Sequence, residues 1–230
     1  MTNDPPLDRS EGTPPLRVQI LATEHWSLLA TRSMTWNEIF SRTGTFLTVL
    51  SATVIALSLV AQATGFGTGF RVFALLVLPV VLLVGLGTFI RLVEADVEDA
   101  WLVVGMNRLR HAYLELAPDL RPYFVTSQHD DELGVLRTYS FRTDVGVSHL
   151  LCGSPVIVGI IASVVAGVFS GIICQALGGG VELQIAVGLL AMLATATMLA
   201  AMAYRRLGQL RHDYCPRFPE PGGASVAASA

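Results

Sequence analysis

The chain has 230 residues, 52% of them hydrophobic and only 14% charged, with a mean hydropathy of +0.57. That excludes an ordinary soluble domain, in which about a quarter of residues are charged, and fits a polytopic membrane protein. A net charge of −3 leaves no basic footprint for nucleic acid, and cysteines at 152, 174 and 215 have the spacing of neither a zinc site nor a disulfide framework.

Residues 1–15 hold four prolines and no apolar period, so a disordered N-terminus is expected there. The first forty residues contain no short apolar core ahead of a cleavage site, which leaves the first span as an uncleaved anchor. Residues 16–117 read as an N-terminal cytoplasmic helix, a first transmembrane hairpin and a long cytoplasmic extension of its second span. Trp26, Leu29, Ser33, Trp36 and Phe40 follow helical spacing and share one face. Trp36 and Phe40 suit a membrane interface.

Thr43–Phe70 has no charged residue in 28 positions, enough to cross a hydrocarbon core of about 30 Å. Within it Thr48, Ser51, Ile55, Ser58 and Gln62 step by 3, 4, 3 and 4, so they share a face. Such a polar stripe suits a pore-lining helix, where hydroxyls replace part of an ion's hydration and a ring of Ile gates by dewetting. It equally suits hydroxyls that bond their own backbone or a neighbouring helix. Gly65–Phe70, "GFGTGF", reads as an external turn, and Val72–Ile90 as a second span with Pro79 inside it.

Beyond Ile90 the helix pattern continues through "RLVEADVEDAW". Leu102, Met106, Leu109, Tyr113 and Leu116 then form an apolar seam that needs a partner, either the N-terminal helix or another subunit. Residues 118–147 read as a loop-like cytoplasmic linker containing "HDDE" at His129–Glu132. Glu94, Glu98, Asp130, Asp131 and Glu132 could attract cations to a vestibule, or lie on a salt-bridged surface with Arg91, Arg108 and Arg110.

A second transmembrane hairpin is expected over 148–206, its third span within Val145–Val181 and its fourth at Leu183–Tyr204. Gly159, Ser163, Gly167 and Gly171 recur every four residues, a small-residue ladder that lets two helix backbones approach closely. His149, at the start of that span, reads as an interfacial anchor or a pH-sensitive group. Residues 207–230 read as a flexible C-terminal tail.

All fifteen basic residues are Arg, and only Arg71 falls on the side opposite the other fourteen. The positive-inside rule then places both termini in the cytoplasm of a bacterium, with the chain multi-pass in the inner membrane. No Asp, Glu, Lys or Arg lies within the four apolar stretches, which argues against proton-coupled transport and voltage sensing. No catalytic constellation, metal site or cofactor motif is visible, so a non-enzymatic protein without cofactor is expected.

The segment "EHWSLLATRSMTWNEIFSRTGTFLTVLS", Glu24–Ser51, joins a Trp/Arg-bearing helix directly to an apolar span, and a second span then runs into a long charged helix. This resembles uncharacterised four-span integral membrane proteins of actinobacteria. From Leu16 to about Leu116 it is also similar to the SLATT class of two-span bacterial proteins, proposed as membrane effectors or pores. The second hairpin departs from a two-span plan, and no functional residue carries over.

The sequence thus predicts an all-α membrane protein with four transmembrane helices in two hairpins. The expected function is an oligomeric ion-conducting or effector pore lined by the first span. The alternative is a non-conducting structural or partner-binding membrane subunit. The expected partners are the lipid bilayer, further copies of the chain and a cytoplasmic protein, with no nucleic acid.

Overall fold

The computed structural model describes residues 14–140 and 153–221. The predicted disordered stretch 1–15 (all but its last two residues), His149, Cys152 and the end of the tail from 222 lie outside the described residues. Regular structure among the described residues is entirely helical. In chain order it comprises α1 (Pro14–Thr64), α2 (Thr68–Leu116), a 3-10 turn (Pro118–Tyr123), α3 (Glu132–Ser140), α4 (Ser154–Ala176) and α5 (Val181–Asp213). Four helices (α1, α2, α4 and α5) are long and apolar enough to cross a membrane, which marks a membrane protein.

The sequence explains where these helices start and stop. Pro14 and Pro15 occupy the first turn of α1, where a missing N–H costs nothing. From there to Thr64 the only breaker is Gly44. The helix ends as Gly65 and Phe66 enter the left-handed region, at φ 61° and 60°. Phe66 holds that strained conformation with its ring edge-on to Phe70, centroids 5.1 Å apart. Pro79 lies inside α2 without ending it. Between α4 and α5, Gly178 takes φ 89° and Gly180 caps the next helix.

The chain divides into two compact units, one comprising residues 34–100 and 144–214 and the other residues 1–33, 101–143 and 215–230. In the first, apolar unit the core is built from Ile39 and Phe46 of α1, Leu78, Val81, Phe89 and Leu92 of α2, Val158 and Val165 of α4, and Leu199 of α5. Its helices meet at glycines. A Cβ at Gly85 would lie 2.9 Å from the Phe46 ring, and one at Gly159 would lie 2.8 Å from the Phe89 ring. At Gly167 the obstacle is backbone: a Cβ there would sit 2.8 Å from the Gly188 carbonyl oxygen. Close approach of this kind yields dispersion contact that lipid chains cannot match.

In the second, more polar unit, the start of α1 lies on the end of α2. Leu28 packs at Gly105, and the His25 and Tyr113 rings sit 5.9 Å apart. The apolar seam therefore has the N-terminal helix as a partner within the chain, with Met106 buried and Leu116 exposed. The stretch expected to be loop-like contains the 3-10 turn and α3. Asp131 caps α3 by accepting the Gly134 N–H at 3.0 Å, satisfying one of the first turn's free donors. At the other end, α5 continues past the expected limit at 206 to Asp213. The chain then passes into a strap, Cys215–Glu220, docked on the Asp130 region rather than hanging free.

Candidate functional site

The polar stripe of α1 lies on a face turned away from the other described helices of the apolar unit. Thr48, Ser51, Ser58 and Gln62 are exposed, and Ile55 is 61% exposed. The opposite face carries Phe46, Thr53 and Ala61, all buried. The stripe is therefore not the surface by which α1 packs on its own neighbours. Towards the N-terminus the same outward face continues through Phe40 and Trp36, both exposed.

Hydrogen bonding gives this face a polarity. Thr48, Ser51 and Ser58 each donate to the carbonyl oxygen four residues earlier (Gly44, Leu47 and Val54), each at 2.8 Å. A hydroxyl has one proton and two lone pairs. With the proton committed to the helix, the oxygens present acceptor capacity outward. The face thus offers oxygen acceptors at three levels, interrupted by the apolar Ile55.

Just beyond the uncharged stretches of α1 and α2 lies an ion-pair collar. The Arg91 guanidinium grips Glu38 with two nitrogens, at 2.9 and 3.0 Å, and reaches Glu98 at 2.8 and 3.2 Å. Arg42 adds a bond to Glu38 at 2.8 Å, and Glu94 lies 3.9 Å from Arg91. These bonds, from Arg91 first and Arg42 second, bring the Glu38 carboxyl down to about 2. One turn further on, burial and then the neighbouring Asp99 charge push the half-buried Asp96 up to about 6. The link from Glu38 to Arg91 spans 53 residues and had no signal in the sequence.

The five acidic residues read as a vestibule are contributed by both units. Glu94 and Glu98 belong to the apolar unit's collar, where Arg91 partners them. Asp130 and Asp131 are buried in the polar unit, Asp130 paired with Arg108 at 2.8 Å and Asp131 capping α3, while Glu132 is exposed. Among the described residues no three His, Cys, Asp or Glu side chains are grouped to hold a metal. The ladder residues, by contrast, all sit on helix contacts within the chain. Gly159 meets α2 and α5, and Gly167 and Gly171 meet α5 at Gly188 and Gln184. Ser163 is buried and donates to the Gly159 carbonyl at 2.7 Å.

The sequence reading passed over Asn107 and Phe218, which organise the polar unit. Asn107 is fully buried, and an uncharged amide placed between the apolar stretch Trp101–Met106 and the basic Arg108–His111 was the available signal. Phe218, an aromatic between two prolines in a polar tail, was another. Comparison with protein-family models, curated proteins and solved structures gives no match to this chain.

Proposed function

We propose that the chain is a homo-oligomeric, non-enzymatic, multi-pass protein of a bacterial inner membrane. Its four spans form two hairpins with both termini in the cytoplasm, and the outward stripe of α1 lines a cation-conducting path. The observation that carries this reading is the orientation of Thr48, Ser51 and Ser58. They face away from their own chain with protons committed inward and acceptor oxygens outward. Cyclic symmetry would repeat those oxygens as rings around one axis, and rings of acceptors favour cations over anions. The Ile55 ring is then the apolar constriction that resists wetting. Within the collar, Glu38, Glu94 and Glu98 against Arg42 and Arg91 leave a net negative charge near the mouth.

Liposome flux and planar-bilayer recording of the purified protein test the proposal. Ile55→Thr raises cation flux several-fold and Ser51→Leu lowers it, with thermal stability unchanged in both. The absence of flux from the parent and from Ile55→Thr, both folded, refutes conduction. The second reading is a non-conducting structural or partner-binding subunit. The inward hydroxyl bonds favour it too, because a hydroxyl satisfied by its own helix tolerates contact with lipid or a dry partner.

A further inference from the structure

The polar unit contains a built site that holds a short peptide segment, independent of any conduction. Asp130 is wholly buried. One of its carboxylate oxygens accepts the Arg108 Nε at 2.8 Å and the Arg217 backbone N–H at 3.0 Å. The other accepts the Phe218 N–H at 2.8 Å. Two successive peptide N–H groups of the strap are thus read by a single carboxylate. The Phe218 carbonyl lies 3.2 Å from His129 Nδ1 and accepts the Asp130 N–H at 3.4 Å. Two residues on, the Glu220 N–H reaches Asp131 at 3.3 Å and its carboxylate pairs with Arg137.

Side chains add selectivity. The Phe218 ring stacks on His111 at 4.1 Å, tilted by only 22°. Pro219 has no N–H to satisfy, and its ring fixes φ between the two anchor points, just after the bend at Arg217 and Phe218. The receiving surface is braced separately. Buried Asn107 donates to the His129 carbonyl at 2.8 Å and accepts Thr138 at 3.0 Å and Arg110 at 2.6 Å. None of these braces involves the strap.

We infer that this surface is a peptide-recognition site for a short aromatic–Pro–acidic segment that bends at the aromatic residue, with the chain's own Arg217–Glu220 as its resident, releasable ligand. Release is feasible because Arg217 and Pro219 are exposed and the Arg137–Glu220 pair is partly solvated, hence screened by salt. When the strap leaves, Asp130 keeps Arg108, so the buried charge retains a partner and the site persists in an open form.

The test uses the full chain in lipid nanodiscs and a fluorescent peptide of residues 214–221 with Cys215 replaced by Ser. Trypsin cleavage after Arg217, followed by mass spectrometry, reports strap release. Phe218→Ala accelerates that cleavage at least tenfold, and the peptide binds this variant saturably but not the parent. Adding Arg137→Glu to the Phe218→Ala chain weakens peptide binding at least tenfold. A peptide carrying Glu220→Arg recovers binding to that double variant. Asp130→Asn in the Phe218→Ala background abolishes binding; should it not fold, the Arg137/Glu220 exchange decides alone. Cleavage at the parental rate in Phe218→Ala overturns the inference. So does peptide binding that is absent from Phe218→Ala or indifferent to Arg137→Glu.

Discussion

Asp96 is the residue whose ionisation runs against the fold. Its carboxyl is raised to about 6 by burial and by Asp99. In the unfolded chain it titrates near the ordinary 3.8, so between roughly pH 4 and 6 the folded state binds more protons. Its contribution is fully present below about 4 and is lost as pH rises through 6. Thermal unfolding in detergent across that window shows a falling melting temperature in the parent, and Asp96→Asn flattens the fall. An unaltered slope in the variant would mean that other groups carry the dependence. Glu38 has the opposite sign. Held down to about 2, it stabilises the collar above the ordinary carboxyl range and is lost only in strong acid.

At the scale of the helix, two glycines two positions apart predict opposite outcomes. A Cβ at Gly85 meets the fully buried Phe46 ring, whereas nothing lies within 4 Å of one at Gly87. Gly85→Ala costs about 1–3 kcal/mol through overpacking. Gly87→Ala is neutral or stabilising by about 0.5 kcal/mol, because it restricts the unfolded chain. Denaturant titration of the two variants side by side checks the contrast. Gly167→Leu, driven against the Gly188 carbonyl, abolishes the native fold, seen as loss of a monodisperse peak in size-exclusion chromatography. The spacing of Thr48, Ser51, Ile55, Ser58 and Gln62, and of the Gly159–Gly171 ladder, was legible because helix geometry alone puts such residues on a common face. Which way those faces point was not. That depends on Phe46 and Thr53 being buried, a fact of packing between segments far apart in the chain. The partners of the acidic residues were hidden for the same reason: charge patterning shows that Glu98 and Asp130 are acidic, but not that Arg91 pairs with the one and Arg108 with the other.

For the whole molecule, the proposed topology is checked with single cysteines in a background lacking the three native ones. Glu182→Cys, in the first turn of α5, is labelled by a membrane-impermeant maleimide on intact cells. Arg121→Cys, exposed in the 3-10 turn, is labelled only after permeabilisation. The reverse pattern would invert the orientation. Crosslinking in the membrane and light scattering in detergent test the assembly, for which Trp36, Phe40 and Ile55 supply an exposed stripe on α1 in the apolar unit.

The polar unit is assembled from three stretches separated by long intervals of sequence, and its last contributor is the strap. Translation delivers those stretches in order, so Asp130 leaves the ribosome long before Arg217 and Phe218 exist to satisfy it. Throughout synthesis of α4 and α5 the carboxylate has Arg108 but no peptide N–H from the strap. Completion of this unit is therefore a late event in biogenesis, contingent on the final helix having been made. Nascent chains arrested at 213 should leave residues 127–137 open to protease, and chains extended to 221 and released should protect them. In this sense the docked strap records that all four apolar helices have been synthesised, which is information a quality-control protease could read.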